Sequence, residues 1–175
     1  DTITVGFEDG EDATRIQLNE AQKTVWNAGD EVSVFYQSHT NMKWVFQGED
    51  GDRSGLLKAE GGNPGEQVMD DVVIVYPYNG DYTLNLEDKT VIAMLPDVQS
   101  YKQGSYGEGG NIMVAASDLS AFTLRSVCGW LKVQLTGDGE VVKSITLRGN
   151  DGEQVAGLIY VDSAAATATL ASASG

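Results

Sequence analysis

The chain has 175 residues and a formal net charge of −15, from 26 acidic and 11 basic side chains. This length allows one domain with a sizeable hydrophobic core and leaves little room for a second full domain. A strongly negative surface repels phosphate backbones and anionic lipids, so we expect no nucleic-acid partner.

The cysteine content and the apolar runs narrow the class of protein further. Cys128 is the only cysteine, so it cannot form an internal disulfide. No apolar run approaches the roughly 18 residues of a membrane-spanning helix. Asp1 opens directly on a strand-like segment, so if the protein is exported we expect its targeting segment to have been removed.

Short alternations of apolar and polar residues predict β-strands through the first half of the chain. Ile3, Val5 and Phe7 alternate with small or polar residues, which predicts a half-buried first strand, and an acidic loop follows at 8–12. Residues 48–67 are polar and glycine-rich, which predicts a long surface loop. Further strands are predicted at 15–18, 25–26, 32–36, 42–47 and 55–59.

The second half of the chain continues the strand pattern. Residues 72–76 are apolar without alternation, which predicts a strand covered on both faces and ended by Pro77. Residues 101–110 predict a flexible, glycine-rich loop, and 164–173 a strand of small residues or a tail. Strands are also predicted at 81–86, 90–95, 112–116 and 122–124.

The clearest pattern of the chain lies between residues 131 and 161. Residues 131–135 and 143–147 alternate on either side of the Asp138-Gly139 turn, and Asn150-Asp151-Gly152 is a second turn signal before residues 154–161. Two alternating runs around an Asp-Gly are typical of a hairpin. The sequence therefore predicts a three-stranded meander with one apolar face.

These elements together predict the fold class. Helical periodicity never persists for as many as about 11 residues, and about eleven to thirteen short strands are expected. Closely spaced short strands favour an all-β, two-sheet β-sandwich, here with long Gly-rich loops. We expect one domain over residues 1–170, with 171–175 as a tail or linker.

The segment from Asp50 to Gly55 resembles the first half of a calcium-binding loop. Asp50 and Asp52 occupy the first and third positions, and Gly55 the sixth. The acid expected at position twelve is missing, because Gly61 stands there. A solvated loop is the stronger interpretation, and calcium at these two aspartates is left open.

Catalytic groups are hard to assemble from this sequence. His39 is the only histidine, which excludes a histidine-based metal cluster and a Ser-His-Asp triad. Cys128 stands at the head of a predicted strand, where a buried and inert thiol is expected. We therefore predict that the protein is not an enzyme and has no catalytic, cofactor-binding or metal-binding residue.

Two tyrosines are the candidates for ligand contact. Tyr101 and Tyr106 lie in the glycine-rich loop at 101–110, where we expect them to be exposed. The tryptophans are expected to pack in the core or at its rim. An exposed tyrosine pair favours, as an alternative function, a non-catalytic carbohydrate-binding surface module.

Several short motifs occur in a defined order and spacing from about Ile3 to Leu170. They are Thr14-Arg15, Val25-Trp26 with Gly29-Asp30, Tyr76-Pro77, Leu95-Pro96 with Gln99, Val114-Ala115, Cys128-Gly129 with Leu131-Lys132, Leu147 with Gly149-Asn150, and Ala156-Gly157. In this order and spacing, the motifs resemble the fimbrillin family of Bacteroidales surface proteins. The resemblance implies a transthyretin-like N-terminal β-sandwich domain, and a chain exported as a lipoprotein to the cell surface, outer membrane or fimbrium. It also implies other fimbrial subunits as partners, with a host protein or glycan as receptor.

The resemblance further implies an assembly mechanism. Family members are cleaved after a basic residue near the N-terminus, which releases the first strand and opens a groove for a strand of a neighbouring subunit. Arg15 matches that position. The family's lipidated cysteine is absent, so we expect it to have been removed with a leader, leaving membrane contact only through that anchor. A second β-domain is expected to follow Gly175.

The first strand supports this mechanism independently of the resemblance. Burial of Ile3, Val5 and Phe7 at about 1.5 to 3 kcal/mol each supplies roughly 5 to 9 kcal/mol, comparable to the stability of an ordinary domain. Its removal is expected to leave an unpaired sheet edge that accepts another strand. The alternative is that the strand remains a permanent part of the sheet.

Overall fold

The computed structural model describes residues 2–7, 17–18, 24–36, 40–61, 71–102, 106–107, 109–117 and 121–171. All regular secondary structure in these residues is β, which confirms the predicted all-β class. Among them, no helix is long and apolar enough to cross a membrane. The strands are β1 Thr2–Phe7, β2 Gln17–Leu18, β3 Thr24–Val25, β4 Glu31–Phe35, β5 Met42–Phe46, β6 Ser54–Ala59, β7 Val72–Tyr76, β8 Thr83–Asn85, β9 Thr90–Leu95, β10 Met113–Ser117, β11 Ala121–Ser126, β12 Gly157–Asp162 and β13 Thr167–Leu170.

Seven strands close into a barrel in the order β1-β11-β10-β7-β4-β5-β6. Neighbouring strands are antiparallel except for β1 and β11, which run parallel. β1 is therefore the strand that closes the barrel, because it joins β6 on one side to β11 on the other. The predicted first strand is confirmed over its whole length.

Aromatic side chains fill the barrel interior. Trp26 and Trp44 are fully buried, as expected for core tryptophans. Phe7 and Phe46 stack on Trp26, with ring centroids 4.9 and 4.7 Å from its own. Tyr76 meets the same ring edge-on at 6.1 Å. Offset and edge-on contacts of this kind add to the stability that burial of the rings provides.

A smaller sheet, in the order β13-β12-β9-β8, lies against the outside of the barrel. A second core forms between these two layers. Val73 and Val75 of β7 belong to this core, whereas Val72 and Ile74 belong to the barrel interior. Both faces of β7 are therefore buried, which confirms the two-sided strand that its continuous apolar run predicts.

The arrangement of the sheets differs from the two open sheets expected from the sequence. The difference arises at β1, where Val5 lies opposite Gly55 of β6 and also opposite Phe122 of β11. Pairing along both edges of β1 turns the larger sheet into a closed barrel, which has no free edge.

The largest departure from the sequence prediction concerns residues 131–155, which we call the arm. The two turns lie where predicted, with Gly139 and Gly152 at φ of 83° and 82°. The predicted strands at 131–135 and 143–147 are wrong, since no residue of the arm belongs to a strand. The third strand of the meander forms only as β12. Because the barrel closes without the arm, no free edge of the barrel is left for these residues to join.

Candidate functional site: the β1 seam and the tyrosine cavity

The β1 seam is the line along which β1 closes the barrel between β6 and β11. Ile3 lies opposite Leu57 of β6, and Phe7 lies opposite Leu124 of β11. Ile3 and Val5 are 1% and 0% exposed. The displaceable strand core proposed from the sequence, Ile3, Val5 and Phe7, thus faces the barrel interior, with Phe7 partly buried at its end.

Close packing explains the glycine opposite Val5. The ring of Phe46 lies over Gly55, and a Cβ atom added there would come within 2.6 Å of it. A side chain at this position would displace the ring that stacks on Trp26. Gly55 therefore lets β6 approach the aromatic core closely while it pairs with β1.

The topology defines which kind of strand could replace β1 in the seam. With β1 removed, β6 and β11 would become edges about 9.5 Å apart, the width of one missing strand. The slot between them would be lined by Leu57, Phe122 and Leu124. It fits an incoming strand that runs parallel to β11, antiparallel to β6, and has apolar residues at alternate positions.

The proposed processing residue, Arg15, lies outside the described residues. It falls between Phe7, the last residue of β1, and Gln17, the first of β2. Cleavage after Arg15 stays a prediction.

The two candidate ligand-binding tyrosines line one cavity of about 820 Å³. The predicted exposure is confirmed for Tyr101, which is 89% exposed. It is wrong for Tyr106, which is partly buried because it lies against Trp130 with ring centroids 3.7 Å apart. Tyr76, Tyr78 and Tyr82 form further parts of the same wall. Five tyrosines thus converge on a single concave surface, which we call the tyrosine cavity.

Hydrogen bonds hold the loop between Tyr78 and Tyr82 in place. The Asn41 side chain donates to the carbonyl oxygens of Asn79 and Tyr82, at 2.7 and 3.3 Å. The backbone N–H of Asn79 donates to Ser33 Oγ at 3.3 Å. This loop is therefore fixed to β4, and its tyrosines form a preformed wall.

Two of the five tyrosines are held by the two cores. Tyr82 is 4% exposed and belongs to the second core, and Tyr76 packs edge-on against Trp26. Burial raises the pKa of Tyr82 to about 12, and burial also raises the pKa of Tyr76. Both residues therefore form a fixed part of the wall, and the exposed ring of Tyr101 is the surface that suits an uncharged polyhydroxylated ligand.

Sequence reasoning missed Tyr76, Tyr78 and Tyr82 as cavity residues. In the sequence, Tyr76-Pro77 indicates the end of a strand and is one motif of the family resemblance, and neither interpretation points to a cavity. The available signal was three tyrosines at 76, 78 and 82, separated by two and four positions. That signal gains meaning only when Tyr101 and Tyr106 are brought to the same cavity, which requires the tertiary fold.

The two aspartates considered for calcium have structural partners. Asp50 Oδ1 accepts the N–H of Ala28 at 2.8 Å, and Asp52 Oδ2 accepts the N–H of Glu49 at 2.9 Å. The two carboxylates brace this loop and tie it to the turn after β3. Within the described ranges, no group of three or more His, Cys, Asp or Glu residues is arranged to hold a metal ion.

The remaining chemical candidates are a histidine outside the described residues and one partly buried cysteine. His39 belongs to the residues that the structure does not describe. Cys128 is partly buried beside the second core, and burial raises the pKa of its thiol. A raised pKa lowers the thiolate fraction, which reduces the nucleophilicity of the residue.

Comparison with known proteins supplies no relative. No protein-family model, curated protein or solved structure matches the chain. Inference about function therefore depends on the side chains and topology of this chain.

Proposed function

We propose that the chain is a structural or adhesive subunit of a fimbria or related cell-surface structure, assembled by strand exchange after cleavage at Arg15. The observation that supports this most strongly is the position of β1. It is the first strand in sequence, yet it lies in the barrel between two strands distant from it in the chain. Release of this one segment would open the barrel without breaking any other ladder.

The energetics of β1 suit an exchange reaction. Full burial of Ile3 and Val5 contributes roughly 3 to 6 kcal/mol, and partial burial of Phe7 adds to this. A whole domain is stable by only about 5 to 15 kcal/mol. A vacated seam is therefore costly, and a donated strand that fills it gains comparable free energy.

The wider proposal follows the resemblance to fimbrillins. The chain is exported to the cell surface, its partners are other subunits and a host protein or glycan, and it has no catalytic role. The transthyretin-like sandwich that the resemblance implies is a prediction of the same kind. The competing possibility is a β1 that never leaves the barrel.

Cleavage and assembly can be tested together. Limited trypsin digestion of the folded chain is expected to cut first after Arg15, because an acidic, glycine-containing loop precedes it and Lys58 lies within the β6 ladder. Lys132, Lys143 and Arg148 lie in the exposed arm, so every protein in this test carries glutamine at these three positions. The cleaved protein is expected to form oligomers that size-exclusion chromatography and electron microscopy detect. Arg15→Gln is the matched control and is expected to stay uncleaved there and unassembled. A cleaved chain that keeps β1 bound and remains monomeric would contradict the proposal.

The tyrosine cavity supports a second candidate function, carbohydrate binding. The exposed ring of Tyr101 and the volume of the cavity suit a short glycan. On a glycan array, saturable binding that Tyr101→Ala or Tyr106→Ala abolishes would support this function. Tyr160→Ala is the control, since Tyr160 is 43% exposed and does not line the cavity. If the unmodified chain shows no saturable binding to any glycan on the array, this function is contradicted.

A further inference from the structure

The first limb of the arm, residues 131–135, has the alternating pattern of β1 but not its partner strands. Leu131, Val133 and Leu135 are 67%, 47% and 55% exposed, although they stand at alternate positions. The limb belongs to no strand of its own copy. An exposed apolar segment with the period of a strand is suited to complete another sheet by strand addition.

The apolar side chains of the limb match those of β1 one by one. In the same register, Leu131, Val133 and Leu135 take the places of Ile3, Val5 and Phe7, in that order. Each place receives an apolar side chain of equal or similar size, with leucine replacing the aromatic ring at the partly buried end. The limb therefore fills the whole length of the slot that β1 leaves.

The polar side chains of the limb fit the outer face of the slot. Lys132 takes the place of Thr4, which lies opposite uncharged residues of β6 and β11. Gln134 takes the place of Gly6. A Cβ atom added there would lie 3.4 Å from the Cβ atom of Ser54, its nearest neighbour, so the slot accepts a side chain at this position.

The second alternating run of the arm, residues 143–147, fits the slot less well. Ile145 and Leu147 supply only two apolar residues at alternate positions. The third position falls on Gly149 at one end or on Lys143 at the other. Glycine leaves part of the slot empty, and lysine buries an unpaired ammonium group. The first limb is therefore the better donor.

The root of the arm is anchored away from the seam. The N–H of Val127 donates to the carbonyl oxygen of Ile112 at 3.0 Å, and Cys128 packs against the second core. Trp130 lies against Tyr106, with ring centroids 3.7 Å apart. The barrel strands of the second core are β4, β7 and β10, whereas the seam lies between β6 and β11.

The slot of its own copy is therefore out of reach for the limb. A strand that runs in the slot as β1 does is parallel to β11. Only residues 127–130 separate β11 from the limb, whereas a connection between neighbouring parallel strands takes about a dozen residues or more. Folding back on β11 as a hairpin would detach the contacts that anchor the root. The slot of a second copy imposes neither restriction.

We propose that residues 131–135 of one copy are the strand that enters the vacated β1 slot of the next copy. The inference rests on the strand exchange proposed above and names the segment that is donated. One chain carries both the donor limb and the slot, and the two are different surfaces. The contact is therefore heterologous and propagates from copy to copy into a linear filament.

The first test compares two aspartate variants of the full chain, cleaved after Arg15, with the three glutamine substitutions of the cleavage test. Val133→Asp places a carboxylate in the buried position of Val5 and is expected to lower assembly at least about a hundredfold. Gln134→Asp places the same charge on the outer face and is expected to assemble as the unmodified chain does. Both positions are exposed before assembly, so the uncleaved variants are expected to have unchanged melting temperatures.

A cross-link tests the register and separates exchange between copies from insertion within one copy. Lys132→Cys in one protein and Leu56→Cys in another, both with Cys128→Ala, are mixed and then cleaved. Because Lys132 takes the place of Thr4, which lies opposite Leu56, the mixture is expected to form an intermolecular disulfide under oxidation. Gln134→Cys, two positions further along the limb, is the control and is expected to cross-link several-fold less.

The outcomes distinguish this inference from the function on which it rests. A cleaved, unmodified chain that stays monomeric would overturn strand exchange and the donor assignment together. Assembly that Val133→Asp leaves intact, or an assembled mixture without the 132–56 disulfide, would overturn the donor assignment alone. A cleaved monomer whose arm amides become protected from hydrogen exchange would show that the limb fills its own slot, which also overturns the assignment.

Discussion

Two segments of this chain share one pattern and have different environments. Ile3, Val5 and Phe7 place apolar residues at alternate positions, and Leu131, Val133 and Leu135 do the same. The first set faces the barrel interior, in a strand that pairs with β6 on one side and with β11 on the other. The second set is 47% to 67% exposed and belongs to no strand.

The difference lies in the partners that the fold provides. β1 has a ladder on each side and an aromatic core beneath it. The arm has neither. The barrel is closed, so it offers no free edge, and the inner face of the smaller sheet is already covered by β4, β7 and β10. Alternation therefore indicates that one face of a segment is to be covered, but not whether the cover comes from its own chain.

The strongest test of this comparison places the same charge in both segments. Val5→Asp buries an unpaired carboxylate and is expected to lower the free energy of unfolding by about 4 kcal/mol or more. Val133→Asp at an exposed position is expected to change it by less than about 0.5 kcal/mol in the dilute monomer. Urea unfolding at low protein concentration measures both. Equal effects would contradict the assignment of β1 to the core.

Alkaline pH extends the comparison to the second core, which contains Tyr82, whereas the arm contains no tyrosine. Tyr82 has a folded-state pKa of about 12 against an ordinary value of 10.0, so the native state holds its proton more tightly. Its stabilising contribution is complete below pH 10 and is lost as pH rises to about 12. The loss is about 3 kcal/mol.

Thermal melting at pH 8 and pH 11 provides the measurement. Tyr82→Phe removes the titrating group and is expected to lose less stability between these pH values than the unmodified chain. An identical loss in both proteins would show that Tyr82 is not the group responsible.

Glycine substitutions give the smallest expected effect. Gly55→Ala places a Cβ against the Phe46 ring and is expected to destabilise the barrel by about 1 to 3 kcal/mol. Gly129→Ala, just before the arm, meets no atom within 4 Å and is expected to be nearly neutral. Chemical denaturation compares the two variants. A neutral Gly55→Ala would show that the seam is loosely packed.

Local pattern was sufficient to predict most of the strands. The alternation in residues 2–7 and the continuous apolar run at 72–76 identified β1 and β7, including the burial of β7 on both faces. Barrel closure could not be predicted, because the parallel pairing of β1 with β11 joins residues more than a hundred positions apart. Such contacts leave no mark on local periodicity.

The same limit applies to the candidate sites. Tyr101 and Tyr106 were predicted as ligand-binding residues from their loop, and the structure places both on one cavity. Tyr76, Tyr78 and Tyr82 were missed, because tertiary packing brings them to the same surface. The arm was predicted to form strands, since its pattern specifies an apolar face but not the layer that covers it.

A disulfide that holds β1 in place tests the central claim most directly. Thr4 lies opposite Leu56 in the β1–β6 ladder, and the side chains of both residues are exposed. Antiparallel pairing brings their Cα atoms within the range that a disulfide spans. Thr4→Cys with Leu56→Cys, in a Cys128→Ala background, would lock the strand. After cleavage at Arg15, the account predicts that the oxidised protein stays unassembled and that the reduced protein forms oligomers. Equal assembly in both redox states would contradict the claim that β1 must leave the barrel for a neighbour's strand to enter.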